Sequence, residues 1–264
     1  MTFGTIYTHN PNPRTTAILV VAKAHGLDLK VVYADRDDGE NYEALLKVNP
    51  LGQVPTLVTA SDGWVLTECI PITLYIASQS DTTNLLGSSR RDYYEILKWM
   101  SFANGDFMPA IGGCILPLIG RPVAIRKDAH DCLRAIYRHC RLTDDHLASK
   151  VTKNQAEDGE YDAYLVGDGL TLADLFVASL LFGLFKVFHP VVHVRYPALT
   201  RWFYGVCGLP MVLDVAGKFE VAHLDYPKLP EDEDEDIGER QGKVKAGGES
   251  LEVGKTNGIA AASP

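Results

Sequence analysis

Residues 49–57, Asn49-Pro50-Leu51-Gly52-Gln53-Val54-Pro55-Thr56-Leu57, carry the pattern that decides the fold of the first part of the chain. A helix-like segment over 41–48 leads into this stretch, and a short β-branched strand over 56–59 follows. A proline at the start of a strand removes one ladder donor and can take a cis peptide bond in a tight turn. We predict that the Val54 amide and carbonyl face outward, where an extended peptide can pair with them. The alternative is an ordinary X-Pro turn without a ligand.

A strand–helix–strand order comes before this stretch, and a strand and a helix come after it. The spacing indicates a βαβ unit followed by two further strands, which together make a first domain over residues 1–80. The predicted strands cover 4–8, 29–33, 56–59 and 64–67, and the predicted helices cover 14–25, 41–48 and 70–78.

Helical patterns dominate the rest of the chain and predict a second, all-helical domain over 88–223, after a polar linker. Pro109 is expected to end or kink the first of these helices, and 111–122 is expected to be a loop or a broken helix. In the segment Thr171-Leu172-Ala173-Asp174, Thr171 is expected to cap a helix while Asp174 reaches back to its amide. The predicted helices cover 91–107, 123–151, 171–187, 195–203 and 210–219.

Composition and charge exclude several classes of function. The chain has 264 residues, of which 46% are hydrophobic and 22% charged, which is typical of a globular protein with room for two domains. A net charge of −9 argues against a nucleic-acid partner. Nine acids and five bases lie in 228–264, so this part carries −4 of the total, and we predict an acidic, disordered tail over 224–264.

The termini and the cysteines point to the cytoplasm. No secretory signal is visible at the N-terminus, and the apolar run over 175–185 is shorter than the ~20 residues of a membrane-spanning helix. The five cysteines form no C-x-x-C pair, so we expect buried, reduced thiols in a cytoplasmic protein. No metal-ligand spacing is present, and neither a metal nor a membrane partner is predicted.

The segments NPLGQVPTLV (49–58) and LTECIPITLYIA (66–77) resemble the glutathione-binding half of the cytosolic glutathione transferases. The segment LKWMSFANGD (97–106) is similar to the gamma subunit of elongation factor one B, whose N-terminal part is transferase-like. The resemblance implies an α/β plus all-α protein, with a thioredoxin-like domain followed by the helical transferase domain. It also implies a homodimer that uses glutathione as co-substrate and acts on a small electrophile.

The same resemblance implies a set of glutathione-binding residues. The Val54 main chain pairs with the cysteinyl part of glutathione, while Glu68 and its neighbour Cys69 hold the γ-glutamyl end. Lys47 is a candidate for the glycyl carboxylate, and an acid on the first long helix could meet the glutathione amine. The full implied set is Lys47, Gln53, Val54, Pro55, Glu68, Cys69, Asn104 and Asp106.

Glutathione chemistry requires a thiolate, and a free thiol has a pKa of about 8.5. The group that lowers this pKa belongs just after the first strand, where N–H groups at a helix start favour an anion. Asn10 falls where serine-type transferases carry the activating hydroxyl, and Thr8 and Arg14 are the other catalytic candidates. We expect Tyr7 to point into the core and His9 to be exposed.

Three functions remain open at this point. The first is conjugation of glutathione to a small electrophile, which suits a biosynthetic role. The second is glutathione-assisted cis/trans isomerisation of a conjugated double bond, which shares the first chemical step. The third is a non-catalytic subunit or scaffold of the translation elongation machinery. No cysteine lies in the first turn, so mixed-disulfide redox chemistry is not expected.

Overall fold

The computed structural model describes residues 2–37, 39–121, 128–150, 163–222 and Lys228. Except for Lys228, these residues belong to one compact unit, Met1–Pro227. The predicted disordered tail over 224–264 therefore lies outside the described residues, apart from Lys228.

Four strands and the first three helices follow the predicted order closely. The strands are β1 (Gly4–Thr8), β2 (Leu29–Tyr33), β3 (Thr56–Thr59) and β4 (Val65–Thr67), and the helices are α1 (Pro13–Ala24), α2 (Gly39–Val48) and α3 (Cys69–Ala77). The strand order in the sheet is β2-β1-β3-β4. β1 pairs in parallel with β2 and antiparallel with β3, and β3 pairs antiparallel with β4. This is a thioredoxin-like domain.

The core of this domain lies between the sheet and helices α1 and α3. Ile6 of β1, Ile18 of α1 and Ile72 of α3 are all fully buried in it. On β1 the buried residues are Gly4, Ile6 and Thr8, so Tyr7 lies on the other face and is half-buried. The expectation that Tyr7 points into this core is wrong, because the alternation starts one residue earlier than assumed.

The second part of the chain is helical throughout its described residues. Its helices are α4 (Arg90–Phe102), α5 (Met108–Leu118), α6 (Ala129–Lys150), α7 (Leu172–Arg195), α8 (Pro197–Cys207) and α9 (Pro210–Ala216). A π-helical turn, Ala103–Phe107, joins α4 directly to α5. The predicted start of α6 at 123 and its end at 151 lie outside the described residues.

Pro109 does not end the first long helix, and the predicted loop over 111–122 is wrong as far as Leu118. The proline lies in the first turn of α5, where its missing N–H costs least. Pro117 likewise lies in the last turn of α5. Proline content was misleading here, because the π-helical turn lets the helix continue past Pro109, and Pro117 lies in the last turn of α5.

Helix α7 forms the core of the helical part. It extends through Pro190 to Arg195, eight residues beyond the predicted end at Val187. Its 24 residues are long and apolar enough to span a membrane, but 67% of its most apolar window is buried inside the protein. The N–H of Leu172 donates to the carbonyl of Leu85 at 2.8 Å, which attaches the linker to the start of this helix.

The carboxylate of Asp174 connects three segments at that helix start, as the capping pattern predicted. It accepts hydrogen bonds from the Thr171 N–H and hydroxyl, both at 2.9 Å, and from the Leu165 N–H at 2.8 Å. Trp202 of α8 donates its Nε1–H at 2.9 Å. Asp174 is fully buried, and burial raises the pKa of its carboxyl while these four donors oppose the rise.

We expect Asp174→Ala to destabilise the protein severely. The substitution leaves the N–H groups of Leu165, Thr171 and Trp202 buried without an acceptor, at about 1–3 kcal/mol each. The free energy of unfolding, measured with denaturant, should fall by about 3 kcal/mol or more. The control is Asp145→Ala on α6, whose side chain is exposed and should change stability by less than about 0.5 kcal/mol. Equal stability of the two variants would contradict the connecting role of Asp174.

Candidate glutathione site

The pairing of the strands gathers the predicted site at one end of the sheet. Tyr7 of β1 is paired with Thr56 of β3, and Thr56 is paired in turn with Thr67 of β4. These three residues form one row across the sheet. The loop after β1, the turn before β3 and the start of α3 after β4 therefore lie beside one another. The turn before β3 and the start of α3 carry residues of the implied glutathione-binding set, and the loop after β1 carries the catalytic candidate Asn10.

The turn before β3 is built around the buried side chain of Asn49. Its amide donates to the Gln53 carbonyl and to the Thr56 hydroxyl, both at 3.0 Å, and its oxygen accepts from the Leu51 N–H at 3.2 Å. Gly52 has a φ of +61°, and an added Cβ there would lie 2.4 Å from the Tyr42 hydroxyl oxygen. The turn is thus held in one shape from inside the protein.

Val54 follows this turn, and its main-chain amide and carbonyl have no hydrogen-bond partner among the described residues. The Val54–Pro55 peptide bond is cis, as the sequence predicted, and Pro55 is buried while Val54 is half-buried. An unpaired donor and acceptor at the end of a sheet suit an added extended peptide. The neighbouring side chains of Gln53 and Lys47 are exposed.

Glu68 has an unusual backbone conformation at the start of α3. Its φ is +70° and its ψ is 129°, and it is the one non-glycine residue with positive φ among those described. Such a conformation costs on the order of 1–3 kcal/mol and is typical of ligand-binding positions. The exposed side chain makes no capping hydrogen bond, so its carboxylate is available to a ligand.

Cys69 is the first residue of α3 and is buried. Burial raises the pKa of its thiol; the Arg14 guanidinium opposes that rise, and the Glu68 carboxylate adds to it. Cys69 is therefore a thiol at neutral pH. The contribution of Arg14 also indicates that its guanidinium lies within electrostatic reach of the α3 start.

The loop after β1 uses its polar side chains in two different ways. Asn12 is buried and caps α1: its oxygen accepts from the Arg14 N–H at 3.1 Å, and its amide donates to the Thr8 hydroxyl at 3.2 Å. That hydroxyl is also 2.8 Å from the hydroxyl of Thr15. Thr8 is thus enclosed in an internal network, whereas Asn10 is exposed and its side chain makes no hydrogen bond to the described residues.

One hydrogen bond connects this loop region to the helical part. The Nε–H of Arg14 donates to the Asn104 side-chain oxygen at 2.7 Å. The partner of Arg14 is thus a neutral side chain, and none of the ion pairs among the described residues includes Arg14. Asp106, two residues later on the π-helical turn, is exposed and has no partner among the described residues.

Two asparagines that shape this region are absent from the predicted site, and the predicted exposure of a histidine is wrong. Asn12 and Asn49 are the side chains that shape the two loops, and the asparagine–proline pairs at 12–13 and 49–50 were the available signals. His9 was expected to be exposed, but it is half-buried, and its Nδ1 is buried without a hydrogen-bond partner among the described residues.

A second cleft lies at the opposite end of the sheet. It has a volume of about 620 Å³, and its lining includes Phe3, Asp28, Thr59 and Tyr75. Thr59 pairs with Gly4 at the far end of β1, so this cleft is remote from Val54 and Glu68. Its Thr59 hydroxyl already donates to Asp62 at 2.5 Å. Across the described residues, no cluster of His, Cys, Asp or Glu is arranged to hold a metal ion.

Known proteins resemble this chain along most of its length. The family model described as the glutathione S-transferase N-terminal domain matches residues 3–78, and the corresponding C-terminal domain matches 107–210. Glutathione S-transferase mdpJ of Emericella nidulans is 43% identical over 232 residues, which cover 88% of this chain and 99% of that protein. The chain belongs to the glutathione S-transferase family.

Solved structures of transferase-like proteins also resemble this transferase-family chain. The transferase-like domain of elongation factor 1-gamma from Saccharomyces cerevisiae superposes with a TM-score of 0.68 at 29% identity. The match covers 86% of this chain and 100% of that domain. Ure2p in complex with glutathione has a TM-score of 0.67 at 20% identity, over 81% of this chain and 98% of that one, which shows a shared fold alone.

We expect Glu68→Gly to be more stable than Glu68→Ala in this transferase-family protein. Both variants lose the carboxylate, but only glycine adopts the positive φ without steric cost. The expected difference in the free energy of unfolding is about 1 kcal/mol, after allowing for the greater freedom of glycine in the unfolded chain. Denaturant titration measures it. An alanine variant at least as stable as the glycine variant would show that the backbone at residue 68 is not strained.

We expect the five thiols of the native protein to react slowly with an aromatic disulfide reagent. All five cysteines are buried. Burial raises the pKa of Cys114 and of Cys207 to about 12 and also raises the pKa of Cys69. Because the thiolate is the reactive form, little of it is present at neutral pH. All five should react at once in denaturant, and rapid reaction of Cys69 in the folded protein would contradict this prediction.

Proposed function

We propose that this protein conjugates glutathione to a small electrophile. The observation that carries the proposal is the unpaired main chain of Val54, which lies beside the starts of α1 and α3. Glutathione is an extended tripeptide with a carboxylate at each end and a thiol in the middle. It needs a strand-like partner, anion-binding groups and a means of holding a thiolate, and this end of the sheet offers all three.

In the proposed binding mode, the cysteinyl unit of glutathione pairs with the Val54 amide and carbonyl next to Pro55. The γ-glutamyl end lies at the start of α3, where the Glu68 carboxylate binds the ammonium group and free N–H groups donate hydrogen bonds to the γ-glutamyl carboxylate. Cys69 contributes its backbone N–H there. Gln53 and Lys47 are exposed on the side where the γ-glutamyl and glycyl groups would extend.

The thiol of glutathione would then point at the start of α1. Arg14 supplies a positive charge, and the positive end of the α1 dipole adds to it; both lower the pKa of a nearby thiol. Asn10 is exposed with an uncommitted amide, so it is the available side-chain donor of this loop. We assign Thr8 to the support of the loop, because its hydroxyl is enclosed by Thr15 and Asn12.

The thiolate attacks an electrophilic carbon of the second substrate, and a carbon–sulfur bond forms as the leaving group departs or the double bond is protonated. A biosynthetic role suits this chemistry, with a reactive intermediate as the electrophile. The reversible variant is isomerisation of a conjugated double bond: the thiolate adds, the bond rotates, and glutathione leaves. The two outcomes share every residue proposed above.

The second candidate function is a non-catalytic scaffold, which the similarity to elongation factor 1-gamma favours. In that case the groove is a structural feature, and the protein does not activate a thiol. The higher identity to a protein named as a transferase, 43% against 29%, favours catalysis. We further propose a homodimer in the cytoplasm, which sedimentation of the purified protein would test.

A thiolate titration of the glutathione complex separates the two candidates. We expect the absorbance of bound glutathione to report a thiol pKa at least about one unit below the solution value, because a cation and a helix start face the sulfur. Turnover of chlorodinitrobenzene measures the conjugation itself. A protein that binds glutathione but leaves its thiol pKa at the solution value is a scaffold.

Glu68→Ala tests the binding mode. We expect the variant to lose retention on immobilised glutathione, because the ammonium of the γ-glutamyl group then has no carboxylate partner. Asp145→Ala removes the same charge from the exposed face of α6 and should leave retention unchanged. Unchanged binding by Glu68→Ala would contradict the site proposed here.

A further inference from the structure

The hydrogen bond between Arg14 and Asn104 joins residues 90 positions apart in the chain. Arg14 lies in the first turn of α1, and Asn104 lies on the π-helical turn between α4 and α5. The bond is short, at 2.7 Å, and partly buried. The Arg14 side chain, in the first turn of α1, is therefore held by a residue of the helical part of the protein.

The π-helical turn is fixed on the side away from Arg14. Ala103 and Phe107, at its two ends, are fully buried, whereas Asn104 is half-buried. A π-helical turn accommodates an extra residue within a helix and is frequently found at functional sites. Asn104 thus projects from an anchored turn, and its oxygen has a defined position.

Arg14 retains most of its hydrogen-bonding capacity. A guanidinium has five N–H donors, and the bond to Asn104 uses only Nε–H. Among the described residues, Arg14 makes no ion pair. An asparagine fixes the plane of the guanidinium and leaves its positive charge intact, whereas an aspartate would neutralise that charge.

We propose that Asn104 is a positioning residue, which holds the Arg14 guanidinium so that its free N–H groups face the thiolate of bound glutathione. The proposal rests on the function proposed above, and it removes Asn104 from the residues that touch glutathione itself. The positive charge of Arg14 lowers the pKa of the glutathione thiol, and Asn104 affects that pKa only by positioning Arg14.

Thiolate titration of bound glutathione tests this proposal in three variants. In Asn104→Ala the guanidinium is free to move away, so the titration midpoint should rise by about one pH unit. Asn104→Asp keeps the acceptor and should keep the wild-type stability, yet its negative charge offsets that of Arg14 and the midpoint should rise as well. A purely structural Asn104 would behave in the opposite way, with the aspartate variant showing a normal midpoint. Ser101→Ala, an exposed position one turn earlier, is the control and should titrate as wild type.

A double-mutant cycle supplies the decisive measurement. In the Arg14→Ala background, adding Asn104→Ala should leave the midpoint unchanged, because the residue through which it acts is gone. Additive effects of the two substitutions would overturn the proposal. So would an Asn104→Ala variant that weakens glutathione binding about tenfold with a wild-type midpoint, since Asn104 would then contact the ligand. Wild-type protein that fails to bind glutathione would instead refute the proposed function.

Discussion

The antiparallel pairing of β3 with both β1 and β4 is the constraint on which the candidate site depends. β3 lies between its two partners, so the row Tyr7–Thr56–Thr67 fixes the relative positions of three segments that are far apart in the chain. These segments are the loop after β1, the turn before β3 and the start of α3. A slip of one residue would turn every side chain of a strand to the opposite face. The buried faces of Ile6 and Leu57 exclude such a slip, and the core thereby sets the geometry of the groove.

Neutral amide side chains then shape the groove on this framework. Asn12 begins α1, Asn49 holds the turn before β3, and Asn104 contacts Arg14. Each of them makes its contacts without bringing a net charge into the groove. The charges of Arg14 and Glu68 therefore remain available to a ligand. Such an arrangement suits the glutathione binding proposed above.

The thioredoxin-like part could be predicted nearly element by element from the sequence. Its strands are short, bounded by glycine and proline, and rich in β-branched residues, so local patterns and the final structure agree. The turn at Val54 and the cap at Asp174 were predictable for the same reason, because each is a local motif with its own chemistry. The cis bond before Pro55 followed from that local pattern.

Predictions failed where distant contacts decide the outcome. Pro109 and Pro117 were read as breaks, but both lie in terminal turns of α5, and the π-helical turn that lets the helix continue has no sequence signature of its own. The enclosure of Thr8 depends on Thr15 and Asn12, and the partner of Arg14 lies on another helix altogether. None of these contacts can be found by spacing along one segment.

Helix α7 has a consequence for how the newly made chain reaches its native state. This helix has 24 residues, and its most apolar 18-residue window has a mean hydropathy of 2.0, so the segment could partition into a lipid bilayer before its neighbours have formed. Lys186 lies well inside the helix, and Asp174 lies in its first turn. A charge deep in a spanning helix opposes insertion by about 2.5–3.5 kcal/mol. Lys186, which lies well inside the helix, thus disfavours insertion of the newly made chain into a membrane before α8 has packed against α7.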